Sequence, residues 1–206
     1  MNQSYNEDLD CEKMNIMTLG NGAVGKTSFI IKYTENAYQE VYLSTIGIDF
    51  KCKIIKIDDK KYKIYLYDTT GQERFRALTL NVIKNAQAII LMFDITNTSS
   101  FESIPGWIKS VKESKGEDFP MILLGNKLDK NEERQINKED GEQLAKENGI
   151  DFFEISNKDG TNINESVMTL INKIIKYNEK HQKEFNANDT SVLTNQSFMK
   201  KKKKCC

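Results

Sequence analysis

Gly20-Asn21-Gly22-Ala23-Val24-Gly25-Lys26-Thr27 is a glycine-bracketed loop that ends in an ammonium and a hydroxyl. Between a strand and a helix, residues of these types at this spacing can wrap a phosphate chain. The glycines let the backbone close around an anion, and N–H groups at a helix N-terminus point toward negative charge. Lys26 is expected to reach the β- and γ-phosphates, and the Thr27 hydroxyl to ligate Mg²⁺. Ser28 is counted with the same phosphate contacts. By itself this loop specifies only a nucleoside triphosphate.

Asp68 follows the run Lys63-Ile64-Tyr65-Leu66-Tyr67, which puts a carboxylate at the end of a strand. A lone Asp there is ordinarily a turn residue. This one is followed by Thr69-Thr70-Gly71-Gln72 and stands 48 residues after Gly20. It is expected to hold Mg²⁺ through a water, since Mg²⁺ keeps several of its waters. Gly71 would offer a backbone N–H to the γ-phosphate. Gln72 would orient the attacking water, the role such a Gln has in hydrolytic switches. Thr45 could complete the metal shell.

Asn126-Lys127-Leu128-Asp129 follows the apolar run Met121 to Leu124. The Asp129 carboxylate can accept hydrogen bonds from N1–H and the 2-amino group of guanine. Adenine offers neither donor and would leave a buried charge unpaired, a difference that lets such sites discriminate by roughly 10⁴–10⁵. The Lys127 stem can lie on one face of the base, and Tyr38 is a candidate contact at its edge. Ser156-Asn157-Lys158 would support the same pocket through backbone N–H groups. A P-loop kinase or ATPase using ATP is the rival that Asp129 argues against.

The elements needed to position these loops are legible as an alternation. Met14 to Leu19 suits a buried strand and Thr27 to Tyr33 a helix, with a loop over Asn36 to Gly47. Ile48 to Ile57 and Lys61 to Tyr67, separated by Asp58-Asp59-Lys60, predict a hairpin. Strands at Ala88 to Phe93, Pro120 to Leu124 and Asp151 to Ile155 alternate with helices at Ser100 to Ser114, Lys138 to Asn148 and Asn162 to about Tyr177. This is the pattern of an α/β fold, a mostly parallel sheet with one antiparallel edge strand and helices on both faces. Gly20, Asp68, Asn126 and Ser156 all fall at predicted strand ends, where ligands bind in such sheets.

The 206 residues carry 30 Lys+Arg and 30 Asp+Glu, for a net charge of zero. Lys200, Lys201, Lys202, Lys203 and Lys204 sit together near the end, so the remainder sums to minus five. A nucleic-acid partner is therefore not expected, and the basic run suits an anionic surface. No apolar run approaches the roughly 20 residues of a spanning helix, and Met1 to Cys11 shows no secretory signal. The four cysteines, Cys11, Cys52, Cys205 and Cys206, have no metal-site spacing, which fits a reduced, cytosol-facing protein. From about Glu179 onward the composition predicts a disordered tail. Cys205 and Cys206 give two possible lipids, and two chains, or one plus a basic patch, anchor stably.

Over roughly Lys13 to Tyr177 these motifs resemble the small GTPases of the Ras superfamily, most closely the Rab family. Ser44-Thr45-Ile46-Gly47-Ile48-Asp49-Phe50 is similar to the Rab switch I segment, and Gly71-Gln72-Glu73-Arg74-Phe75-Arg76 to switch II. Cys205-Cys206 is similar to the Rab double-cysteine prenylation signal. The resemblance implies a six-stranded P-loop G domain over residues 13–178, after a polar extension over 1–12 and before a flexible tail over 179–206. It implies a monomeric switch, ON with GTP and OFF with GDP, with Mg²⁺ as cofactor. It implies an exchange factor, a GTPase-activating protein, a GDP-dissociation inhibitor with a prenylation escort protein, and GTP-dependent effectors. The implied place is the cytoplasmic face of an intracellular membrane, and the implied task vesicle traffic. The effector surface would include Ile46, Gly47, Phe50, Tyr67 and Val82.

The chain departs from the family pattern at several points. Thr70 and Asn157 stand where Ala is usual, Tyr67 where Trp is usual, and Val82 where Tyr is usual. Since the contact at Asn157 is made by backbone, a mild effect is expected there. The Thr70 hydroxyl could displace the attacking water or stiffen its loop. These departures leave open a Ras-like signalling role outside vesicle traffic, or a hydrolysis-impaired GTP-binding scaffold. No arginine able to act in cis is evident, so unaided turnover is expected to be slow.

Overall fold

The computed structural model describes residues 11–38, 48–69 and 83–201, with side chains described for these residues up to 182 other than Ile48. Six strands form one sheet: β1 Cys11–Leu19, β2 Ile48–Ile57, β3 Lys60–Thr69, β4 Ala88–Asp94, β5 Met121–Asn126 and β6 Asp151–Glu154. The helices are α1 Lys26–Glu35, α2 Thr98–Glu102, α3 Ile104–Lys115, α4 Lys138–Asn148 and α5 Ile163–Lys201, with a 3₁₀ segment at Leu128–Glu133. The strand order is β2-β3-β1-β4-β5-β6. Every pairing is parallel except β2 with β3. The predicted fold class, antiparallel edge strand included, is therefore the one observed.

Side-chain alternation sorts the sheet into two cores. Ile16, Ile64, Leu66, Ile90, Met92, Ile122 and Leu124 face α1 and α5, where Phe29, Ile30, Val167, Leu170 and Ile171 meet them. Met17, Leu19, Ile89, Leu91, Phe93, Met121 and Leu123 face the opposite way, against Ile104, Trp107, Ile108 and Val111 of α3. Central strands buried on both faces lose the polar alternation of a half-exposed strand. This is why β4 and β5 read as unbroken apolar runs, and every residue of both is buried.

Several boundaries differ from the sequence-based expectation. Strand β1 starts at Cys11, which pairs with Lys61, three residues before the predicted strand at Met14. The predicted helix at Ser100 to Ser114 is two helices with a break at Ser103. Pro105, in the first turn of α3, lacks an N–H to continue the preceding turn. The hairpin turns on Asp58 and Asp59, with Asp58 at φ 51° and Lys60 already in β3. Helix α5 continues to Lys201, through the segment where composition predicts an irregular tail. No Gly or Pro occurs between Gly160 and Cys206, so no residue there breaks a helix. Contacts with the body also outlast the expected boundary at 178. Lys180 pairs with Asp118, in the segment between α3 and β5, at 2.9 Å.

Candidate functional site

Parallel strands bring Gly20, Asp68, Asn126 and Ser156 to the same edge of the sheet. The Gly20–Thr27 loop leaves β1 and enters α1. Gly20 has φ 144°, and a Cβ on it would lie 2.1 Å from the backbone oxygen of Met92 in β4, so only glycine fits. Gly25 has φ 100°, and a Cβ there would lie 2.3 Å from Asn126 Nδ2.

Lys26 is 5 % exposed, and its ammonium donates to the carbonyls of Gly20 at 2.9 Å and Asn21 at 2.8 Å. Burial lowers its pKa to about 8, against the opposing pull of the Asp68 carboxylate. A cation desolvated to this degree is poised for an anionic ligand. Thr27 Oγ1 donates to Asp68 Oδ2 at 2.6 Å, joining α1 to the end of β3. A hydroxyl and a carboxylate at this spacing are hard oxygen donors, and they suit Mg²⁺, which takes few protein ligands. No cluster of three or more His, Cys, Asp or Glu that could hold another metal occurs among the described residues.

A cavity of about 350 Å³ is lined by Ala23, Gly25 and Ser28 on the phosphate-loop side and by Lys127 and Asp129 on the other. Tyr38, Asn126, Lys130, Asn157 and Lys158 complete its wall. Lys127 adopts φ 71°, and its ammonium forms an ion pair with Asp94 at the end of β4. That pairing ties the lysine stem along the cavity wall. A larger hollow of about 690 Å³ lies near Phe119 and Ile150, where β5 and β6 begin, and contains none of the motif residues.

Several side-chain contacts in this region escape sequence reading. Ser156, expected to act through its backbone, also donates its hydroxyl to Asp129 Oδ1 at 2.9 Å. Asn157 donates its backbone N–H to Asn126 Oδ1 at 3.3 Å, and its side-chain amide to the Gly25 carbonyl at 2.9 Å. Asn126, counted with the base contacts, spends its own amide on the Val24 carbonyl at 2.8 Å. The polarity of Ser156 and Asn157 was the available signal. Nothing in the sequence gives the direction of their side chains.

Among the residues expected to form an effector surface, Phe50 is 53 % exposed and packs its ring 5.7 Å from Tyr67 and 5.8 Å from Tyr65. Thr45, Ile46, Gly47, Thr70, Gly71, Gln72, Val82, Cys205 and Cys206 lie outside the described residues. No helix among the described residues is long and apolar enough to cross a membrane.

A parallel α/β sheet with a glycine-bracketed loop between β1 and α1, and a lysine buried in that loop, defines a P-loop nucleotide-binding protein. The model of the Ras family matches residues 15–176. The chain is 43% identical to the Ras-related protein Rab-8B of Homo sapiens over 166 residues, 80% of each chain. It is 42% identical to Rab-13 of Canis lupus familiaris over 160 residues, 78% of this chain and 79% of that one. It is also 42% identical to Rab-8 of Diplobatis ommata, over 80% and 79%. The chain belongs to the Ras family and is a Rab-like small GTPase, a class that serves membrane traffic. Proteins of this class bind GTP or GDP with Mg²⁺, hydrolyse GTP, associate with membranes, and work with regulators and effectors.

Proposed function

We propose that the cavity holds a guanine nucleotide, with its base against Asp129 and its phosphates in the Gly20–Thr27 loop. One observation carries this assignment: a single cavity is lined both by Asp129 and by Gly25 of the phosphate loop. Lys26 then faces the β- and γ-phosphates. Thr27 and Asp68 hold Mg²⁺, with Thr45 completing the set. Bound there, Mg²⁺ offsets the charge of the phosphate oxygens.

Gln72 orients the attacking water, and Gly71 offers its N–H to the γ-phosphate. No arginine stands in the phosphate loop, so unaided turnover is slow and an activating protein raises it. Loss of the γ-phosphate releases the segments around Thr45 and Gly71, which is the switch that effectors read. Phe50 and Tyr67 belong to the surface they read. The nucleotide domain spans residues 13–178, a reading supported by the Ras-family match over residues 15–176. Lipids on Cys205 and Cys206, with the lysines at 200–204, hold the protein on a membrane, which exchange factors, a dissociation inhibitor and an escort protein regulate.

The test is nucleotide competition on wild type and Asp129→Asn. Wild type is expected to prefer GTP to ATP by at least about 10³. Asp129→Asn loses GTP affinity and gains affinity for xanthosine triphosphate, because an amide donor meets the 2-oxo group. Indifference of the wild type to the purine offered would refute the proposal.

A further inference from the structure

We infer that Asn157 is a positioning residue that fixes the phosphate loop to the base-reading loop and so slows nucleotide release. The inference rests on the guanine-nucleotide assignment above. Asn157 is 4 % exposed and lies just after β6, 132 positions from the loop it touches. Its Nδ2 donates to the carbonyl of Gly25, which also accepts the N–H of Phe29 at 2.9 Å as α1 begins. Its neighbour Asn126 holds the preceding carbonyl, that of Val24, in the same way. The two residues are linked to each other by the Asn157 N–H. A Cβ on Gly25 would come within 2.3 Å of one amide nitrogen and 2.8 Å of the other, so both sit close against the loop backbone.

Each of these bonds fixes a peptide plane. In a planar trans peptide the C=O and the following N–H point in opposite directions. Asn126 therefore aims the N–H of Gly25, and Asn157 the N–H of Lys26, toward the side away from the amides, where a phosphate chain would lie. An unpinned loop would have to be ordered by the ligand itself, and that ordering cost weakens binding. An apolar side chain at 157 could keep the backbone bond to Asn126 but not the bond to Gly25. The Asn157 Oδ1 is buried with no hydrogen-bond partner among the described residues. Removing the amide thus relieves an orphan acceptor as it breaks a bond, so the fold should be little affected.

The experiment measures release of fluorescently labelled GDP and IDP from wild type, Asn157→Ala and Asn157→Asp, with Mg²⁺ and excess unlabelled nucleotide. IDP lacks the 2-amino group, so the ratio of the two rates reports on Asp129 and the base. Both variants are expected to release each nucleotide about three- to tenfold faster, with the GDP-to-IDP ratio unchanged. The aspartate variant keeps the shape of the side chain without the donor. If the alanine variant fails to fold, the aspartate variant and Asn157→Ser decide. Release within about twofold of wild type, or a ratio that collapses, would overturn the inference, the second result by placing Asn157 at the base. Failure of the wild type to bind GDP at all would remove the assignment of the site first, before any variant is compared.

Discussion

Ser156 and Asp129, from two different loops, are joined by a 2.9 Å hydrogen bond from the Ser156 hydroxyl to Asp129 Oδ1. Ser156 is fully buried, and its oxygen accepts the N–H of Asp159 at 3.1 Å. With its proton committed to the carboxylate, the hydroxyl fixes the direction in which Asp129 presents itself to a base. Ser156→Ala is expected to weaken GDP binding about tenfold or more, since a hydrogen bond to a charged group is worth roughly 1.5–3 kcal/mol. Equilibrium titration with labelled GDP measures this. An unchanged affinity would show that Asp129 is positioned without Ser156.

Lys26 gives a pH dependence with a defined sign. Burial brings its pKa in the nucleotide-free fold down to about 8 from 10.5. Between those values the unfolded chain binds more protons than the folded one, so stability of the nucleotide-free protein rises with pH across that window. A bound phosphate chain favours the ammonium and raises the pKa again. Nucleotide binding should therefore take up protons increasingly as the pH passes about 8, and affinity should fall there. Calorimetry in buffers of different ionisation enthalpy, at about pH 7 and about pH 8.5, reads the uptake directly. No difference in proton uptake between the two would contradict the assignment.

Arg134 and Glu154 form a two-pronged ion pair behind the base-reading loop, where Glu154 is 9 % exposed. Arg134 Nη1 also donates to the Ile136 carbonyl at 3.0 Å. The pair holds the end of the 3₁₀ segment against the end of β6. Arg134→Met should destabilise the fold by roughly 3 kcal/mol, because it strands a buried carboxylate. The double variant Arg134→Met with Glu154→Gln should recover much of that loss. Urea unfolding of the three proteins tests this, and an additive double variant would show that the two residues do not act as a pair.

Much of the fold was legible because burial leaves a pattern in sequence. Ala88 to Phe93 and Met121 to Leu124 are apolar throughout because both faces of β4 and β5 are covered. The break at Ser103 was missed because the apolar period runs through it, while Pro105 interrupts the backbone bonds. The helical run to Lys201 was missed because composition predicts whether a segment can build a core, not whether its backbone can coil.

Residue types and spacing alone were enough to point to the proposed chemistry. The order of the motifs, from Gly20–Thr27 through Asp68 to Asn126–Asp129, suggested the proposed phosphate loop, metal carboxylate and base reader, each at a strand end. Those features are local, set by a few consecutive residues and the strand before them. Only tertiary structure decided how the loops hold one another. Asn157 reaches Gly25, Ser156 reaches Asp129, and Lys127 reaches Asp94. Each contact joins residues from different strand–loop units, and its geometry follows from the parallel packing of β1, β4, β5 and β6. A side chain's direction in such a contact is fixed by backbone angles and neighbours that arrive from elsewhere in the chain, so no local pattern records it.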